Sequence, residues 1–306
     1  MGVSGTRGAV WAAAWAGLAL LSGCRSRDDL GAISADPSSH PGSARAAAGQ
    51  ASALRDGRGV PRDEGRALSL FGEACEGGIA KACGDLGAMY ADGVGVDRDP
   101  ARASSLLQRA CGAGDVSACA RLGEMARTGS GTARDEGRAV GLLQKACRGG
   151  VARACTQQGN MVRAGAGVVK DAARAVSLYQ MACEGGDIEG CDDLGEAYEK
   201  GDGITQSFGE AVDVYDRACA AGSSEACRQL GAMYAEGRGV ARSPMRSVDL
   251  WSRACDGGDY VACVELGKMY AAGRGVRADR ERAASLFRKA CDAGLTMGCD
   301  AAAARR

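Results

Sequence analysis

The chain has 306 residues with 38 Lys and Arg against 38 Asp and Glu, so no net charge draws it toward nucleic acid or an anionic membrane surface. Hydrophobic residues make up 46% but aromatics only 4%, while Gly reaches 48 and Cys 15. A large compact core is hard to build without aromatic volume, so packing has to come from Leu, Val, Met and Ala.

Arg7 and the amino terminus precede an apolar run from Ala9 to Leu21, too short to span a bilayer and suited to the core of a signal peptide. It ends in Leu21-Ser22-Gly23-Cys24, which resembles the lipobox of bacterial lipoproteins. That resemblance implies removal of residues 1–23 and diacylation of Cys24; an ordinary secretory signal cut at small residues is the alternative. Acyl chains then hold the protein at a membrane surface without a spanning helix. Arg25 stands where an Asp favours inner-membrane retention, so the expected location is the cell envelope, with the outer membrane favoured. Residues 24–44 form the expected tether: two prolines, no apolar period, and the only His, His40, as a solvated linker residue.

Beyond the tether fourteen cysteines remain, all at one spacing. They fall as Cys75 with Cys83, Cys111 with Cys119, Cys147 with Cys155, Cys183 with Cys191, Cys219 with Cys227, Cys255 with Cys263 and Cys291 with Cys299. Each pair is C-x7-C, and each begins 36 residues after the last. A fixed period of this size marks a repeat architecture.

Superposed at that period, Leu70, Leu106, Leu142, Leu178, Val214, Leu250 and Leu286 share one column, followed by Phe71, Leu107, Leu143, Tyr179, Tyr215, Trp251 and Phe287. An alanine stands three residues further on in every unit, which completes one face of a helix. Asp63, Asp99, Asp135, Asp171, Ser207, Ser243 and Asp279 are expected N-caps of this helix, and the Gly78 column its left-handed C-cap. A first helix precedes it in each unit, as at Ala82–Tyr90, with glycine in mid-helix at Gly87, Gly123, Gly159, Gly195, Gly231 and Gly267. Glycine is unfavourable there unless another backbone approaches closely. The recurrent G-x-G loop lacks the third glycine and preceding strand of a phosphate loop, so it reads as a turn.

Each C-x7-C pair joins the last turn of one hairpin's second helix to the start of the next hairpin's first helix, around a Gly-containing bend. There the two cysteines can meet within disulfide range. Closing so short a loop contributes about 2.5 kcal/mol per bridge in the chain-entropy description, and requires an oxidising compartment. Zinc is the rival reading, but the spacing lacks close Cys pairs and the repeats contain no His.

These residues resemble the Sel1-like repeats, relatives of tetratricopeptide repeats, with the pattern A-x-x-L-G-x-x-Y-x-x-G-x-G-V visible from Ala226 through Gly237, Val240 and the cap Ser243. The C-x7-C staples narrow the resemblance to the Helicobacter cysteine-rich protein family, over residues 46–300 or so. It implies an all-α, right-handed α/α superhelical solenoid across residues 45–306, with a concave groove lined mainly by first helices. Thr132 in place of Val, Ala126 and Val162 in place of Tyr, and Gln158 in place of Leu make the third and fourth repeats less regular.

Two functions follow as expectations. The first is a membrane-anchored scaffold that holds a protein or peptide ligand in the groove, without nucleic acid, metal or cofactor. Its expected contact surface is the acidic fifth unit, with Asp187, Glu189, Asp192, Asp193, Glu196 and Glu199, beside a basic neighbourhood of Arg121, Arg127, Arg153 and Arg163. Gln157, Gln158 and Asn160 are the second choice. The other function, β-lactam binding or weak β-lactamase activity, is implied by the family resemblance alone. No S-x-x-K, G-x-S-x-G or H-E-x-x-H motif supports it, and no catalytic residue is nominated.

Overall fold

The computed structural model describes residues 41–303. The signal segment, Cys24 and His40 lie outside the described residues. Within 41–303 the regular elements are all helices: α1 (Pro41–Asp56), α2 (Glu64–Glu76), α3 (Ala80–Asp92), α4 (Pro100–Gly112), α5 (Val116–Thr128), α6 (Glu136–Arg148), α7 (Ala152–Ala164), α8 (Ala172–Glu184), α9 (Ile188–Lys200), α10 (Phe208–Ala220), α11 (Ser224–Glu236), α12 (Pro244–Asp256), α13 (Tyr260–Ala272), α14 (Arg280–Asp292) and α15 (Thr296–Ala303). Each odd helix up to α13 pairs with the even helix after it, and that pair stacks on the next. The result is a solenoid of hairpins, as the period implies. The first helix begins at Pro41, earlier than the expected boundary at 45. Proline is tolerated in a first helical turn, and Ala44 is already buried, beside Gly77 at the end of α2.

Local chemistry sets the helix ends. All seven predicted caps of the even helices accept the backbone N–H three residues on. Glycines of the Gly78 column follow, with φ between 85° and 104°. A second series of caps went unread in the sequence: Asp115, Asp187, Ser223 and Asp259 cap α5, α9, α11 and α13. Helices α3 and α7 start instead at Ile79 and Val151, with no side-chain cap.

All fourteen repeat cysteines are paired as their spacing predicts. Cys75 is bonded to Cys83, Cys111 to Cys119, Cys147 to Cys155 and Cys183 to Cys191. Cys219 is bonded to Cys227, Cys255 to Cys263 and Cys291 to Cys299. The Cα–Cα distances are 4.5–4.7 Å throughout. Each bridge closes the corner between an even helix and the odd helix after it, so the first cysteine sits in a last turn and the second, from Cys83 to Cys299, in a first turn.

Most corners are held a second time by a cation from the next even helix. Arg109 donates to the Cys75 carbonyl at 2.7 Å, Lys145 to that of Cys111 at 2.6 Å, Arg253 to that of Cys219 at 2.9 Å and Lys289 to that of Cys255 at 3.0 Å. A cation there satisfies an end carbonyl and faces the negative end of the helix dipole. Met181, 47% exposed, occupies the same column and cannot donate to Cys147.

The mid-helix glycines do what their position implies. A Cβ on Gly159, Gly231 or Gly267 would lie 2.6 Å from the ring of Tyr179, Trp251 or Phe287 on the partner helix. Gly87 and Gly123 receive Leu107 and Leu143 in the same way. In the loops, the second glycine of most G-x-G turns packs on the preceding even helix. Gly167 has φ 70°, and a Cβ on it would sit 2.6 Å from the Glu136 carbonyl oxygen. Successive odd helices touch (α3 with α5, α7 with α9, α9 with α11, α13 with α15), and no two even helices approach as closely. The stack therefore bends toward the odd helices, which form its concave side.

Two outcomes are expected of substitutions here. Met181→Arg restores the missing corner bond and raises stability by about 0.5 kcal/mol, read as a higher urea midpoint at unchanged slope. Gly195→Ala drives a methyl into the Tyr215 ring and lowers stability by about 1–3 kcal/mol. A smaller change in the Gly195→Ala midpoint would mean the two helices can part without loss.

Candidate functional site

On the concave side a cavity of about 640 Å³ opens across α3, α5 and α7. Its apolar lining is mostly alanine, with Ala88, Ala91, Ala118, Ala120 and Ala154 beside Leu107, Met125 and Val151. Its rim is charged and largely self-neutralised. Lys81 lies 3.5 Å from Asp85, which also receives Arg55 at 3.0 Å. Arg121 pairs with Asp92 of the preceding repeat, and Arg127 with Glu124 at 2.6 Å. Gln157 reaches back to Glu124 at 3.4 Å. A second cavity of about 550 Å³ spans α11 and α13, with Trp251 and Met269 in its wall and Arg228, Glu265 and Lys268 around it. Two of its cations are paired, Arg228 with Asp259 at 2.8 Å and Lys268 with Glu265 at 2.7 Å, and Arg242 donates to the Ala235 carbonyl at 2.9 Å.

The acidic helix α9 lies between these two cavities, and the structure engages most of its nominated residues with neighbouring helices. Asp187 caps α9 through Gly190 and accepts the Thr156 hydroxyl from α7. Asp192 accepts Ser223, the cap of α11, at 2.8 Å. Asp193 lies 3.7 Å from Arg163, and Glu196 lies 3.4 Å from it while also pairing with Lys200. Glu199 holds Arg238 at 2.6 Å and accepts the Tyr215 hydroxyl at 3.3 Å. Glu189 alone of the six is exposed with no ion pair or side-chain hydrogen bond. The polar trio of the fourth repeat divides in the same fashion. Gln158, 1% exposed, fills a leucine column with its Oε1 unpaired, and Asn160 accepts the Tyr179 hydroxyl at 2.6 Å. Gly190 stands where other odd helices carry Ala82, Ala118, Ala154 and Ala226, and lets Thr156 come close.

Crowding of acids on α9 perturbs their ionisation. Burial pushes Asp192 up to about 6 against the Ser223 hydrogen bond, and Glu225, Asp193 and Glu189 push the same way. Asp193 also rises to about 6, by burial against Arg163, with Glu189 and Glu196 adding to it. Glu196 is held below the ordinary range by Lys200. Tyr179 and Tyr215 are raised chiefly by burial.

Sel1 repeats match residues 43–79, 80–115, 116–151, 152–187, 188–223, 224–259 and 261–295. The chain belongs to the Sel1 repeat family. Sel1 repeat proteins are protein-interaction scaffolds. Among solved structures the chain is similar to c5321, a protective antigen present in uropathogenic Escherichia coli strains and displaying an SLR fold. Identity is 27% and the TM-score 0.77, covering 84% of this chain and 55% of that one. The chain thus spans about half the length of that protein. A Sel1 repeat protein from Oxalobacter formigenes shares the fold at 23% identity and TM-score 0.69, over 80% of this chain and 96% of that one. Helicobacter pylori cysteine rich protein B is 30% identical over 43% of this chain and 94% of that one, with a TM-score of 0.36. A search among curated proteins gives no match.

The raised carboxylates carry a pH dependence whose sign is opposite to that of an ordinary ion pair. Both pKa values lie above those of the unfolded chain, so between about pH 4 and 6 the folded state holds protons that the unfolded state releases. The stability contributed by Asp192 and Asp193 therefore grows as pH falls from 7 through 6. Wild type is expected to gain stability between pH 7.5 and 5.5 relative to the Asp192→Asn/Asp193→Asn variant in paired urea titrations. Parallel curves would remove the effect.

Proposed function

We propose that this Sel1 repeat protein is an exported, lipid-anchored scaffold of the cell envelope that seats a protein or peptide on the concave side of its solenoid. The observation that carries the reading is a disulfide at every corner from Cys75–Cys83 to Cys291–Cys299. Such bridges form and persist in oxidising compartments and are rare where thiols are kept reduced. The apolar run ending in Leu21-Ser22-Gly23-Cys24 supports export and an acyl anchor independently. The family and the concave cavities support ligand seating. Contact residues sit on a rigid stack, where they can vary without disturbing the core. On α9 the exposed Glu189 is the acid best placed to meet a partner. Asp187, Asp192, Asp193, Glu196 and Glu199 set the position of the helix that presents it.

Mass spectrometry of the full chain produced in an envelope-bearing bacterial host tests the anchor and the compartment together. The expected product starts at a diacylated Cys24, loses that group in Cys24→Ser, and leaves all fourteen repeat cysteines unreactive to alkylation under non-reducing denaturation. An unprocessed chain with reactive thiols would overturn the export reading. Steady hydrolysis of a chromogenic β-lactam, abolished by one point substitution, would replace the scaffold by an enzyme.

A further inference from the structure

The cavity across α3, α5 and α7 holds one helix-borne cation whose partner is missing. Lys81 and Arg153 occupy the same column, on the first turns of α3 and α7. Lys81 has Asp85 four residues on, at 3.5 Å. Arg153 has Gln157 at that place, and Gln157 turns instead to Glu124 of the preceding repeat. An i,i+4 acid is what neutralises a cation at such a site, and here it is missing. The other lining cations are engaged: Arg121 by Asp92, and Arg98 by the Ala91 carbonyl at 2.9 Å. Arg153 is exposed, lines the cavity, and has no ion pair or side-chain hydrogen bond.

The surroundings of Arg153 favour an anion as well. Val151 precedes α7 where Asp115 and Asp187 precede α5 and α9, so no side chain fills the positive end of the helix beside Arg153. Much of the apolar lining is alanine, whose short side chains let an extended backbone lie close, and about 640 Å³ accommodates a short stretch of chain.

We propose that this cavity seats an extended peptide segment bearing an acidic side chain, whose carboxylate is received by Arg153 against the open end of α7. The inference rests on the scaffold reading and adds the chemistry of the partner to it. Guanidinium and carboxylate meet in a charge-assisted, planar fork, so one such contact both orients and selects the ligand.

Selection of a random dodecapeptide library on the oxidised full-length protein, followed by fluorescence anisotropy of the enriched peptides, tests it. Asp or Glu is expected to be enriched at one position, and replacing it by Asn or Gln weakens binding about tenfold. Arg153→Gln, a change at an exposed helix position that leaves the fold intact by circular dichroism, is expected to weaken binding to the same degree and to flatten its salt dependence. Val151→Asp supplies the missing cap, so it is expected to raise thermal stability while weakening the acidic peptides, a combination that a purely structural role for residue 151 would not give. Enriched peptides without an acid, or bound equally well by Arg153→Gln, would overturn the inference and leave the scaffold reading in place. No enrichment at all would sink both. Dimerisation in ultracentrifugation that Arg153→Gln abolishes would put a second copy of the chain in the cavity and overturn the peptide assignment.

Discussion

The corner where an even helix hands over to the next odd helix is the constraint on which everything else depends. A hairpin of two short helices cannot bury its apolar face alone, so it needs its neighbour at a fixed distance and angle. The disulfide sets that distance, with the two Cα atoms 4.5–4.7 Å apart at every corner. The Gly78 column turns the chain there, and a Lys or Arg from the following even helix ties down the carbonyl of the first cysteine at most corners. With corners fixed covalently, the interior can be filled by alanine, leucine and few aromatics, because the packing no longer has to carry the relative placement of repeats by itself. Where an aromatic does enter, as at Tyr179, Tyr215, Trp251 and Phe287, a glycine on the facing helix makes room for it.

Much of this was legible in the sequence, for a physical reason. Caps, turns and staples are local: Asp63 acts on Arg66, and Cys75 on Cys83, so their meaning survives in a one-dimensional reading. Repetition then turns each local signal into a column, and the second cysteines Cys119, Cys155, Cys191, Cys227, Cys263 and Cys299 all meet the partner eight residues before them. Less legible was the first helix. The prolines near its start read as linker, although Pro41 stands in a first turn and Ala44 packs on Gly77. The caps of the odd helices were missed because Asp115, Ser223 and Asp259 follow the end of one helix closely enough to read as its turn.

Least legible was the destination of the charges. Cross-repeat partners on the odd helices are separated by 29 to 33 residues, as in Arg121–Asp92, Arg55–Asp85, Thr156–Asp187 and Arg163–Glu196, and not by the 36 of the repeat itself. Columns at the period therefore place equivalent residues side by side but do not reveal which ones touch. Shifting the register by several residues would have paired Ser223 with Asp192 and shown that the acids of α9 are bound to neighbours. The same offset explains the polar interior of the fourth repeat. Thr156 meets Asp187 only because Gly190 lacks a Cβ, so substitutions one repeat apart compensate each other.

A surface of balanced charges can still be selective, because its neutrality is assembled pair by pair. On the concave side most cations have their own anion, either three or four residues along the helix or on the adjacent repeat, and the chain as a whole is neutral. Changing one member of a pair that caps no helix, such as Lys81–Asp85, leaves the core, the corner disulfide and the helix caps unaffected, yet it exposes a charge at a defined place on a rigid wall. Gln157 in the column of Asp85 is such a change, and the uncapped start of α7 belongs to the same helix. A repeat protein built this way can acquire local polarity without acquiring net charge. That keeps nonspecific attraction low, because long-range fields from paired charges cancel beyond about a Debye length, while an uncompensated group acts at contact distance. Selectivity then arises from the omission of one carboxylate in a ladder where Lys81, Arg121, Arg163, Arg228 and Lys268 each have theirs.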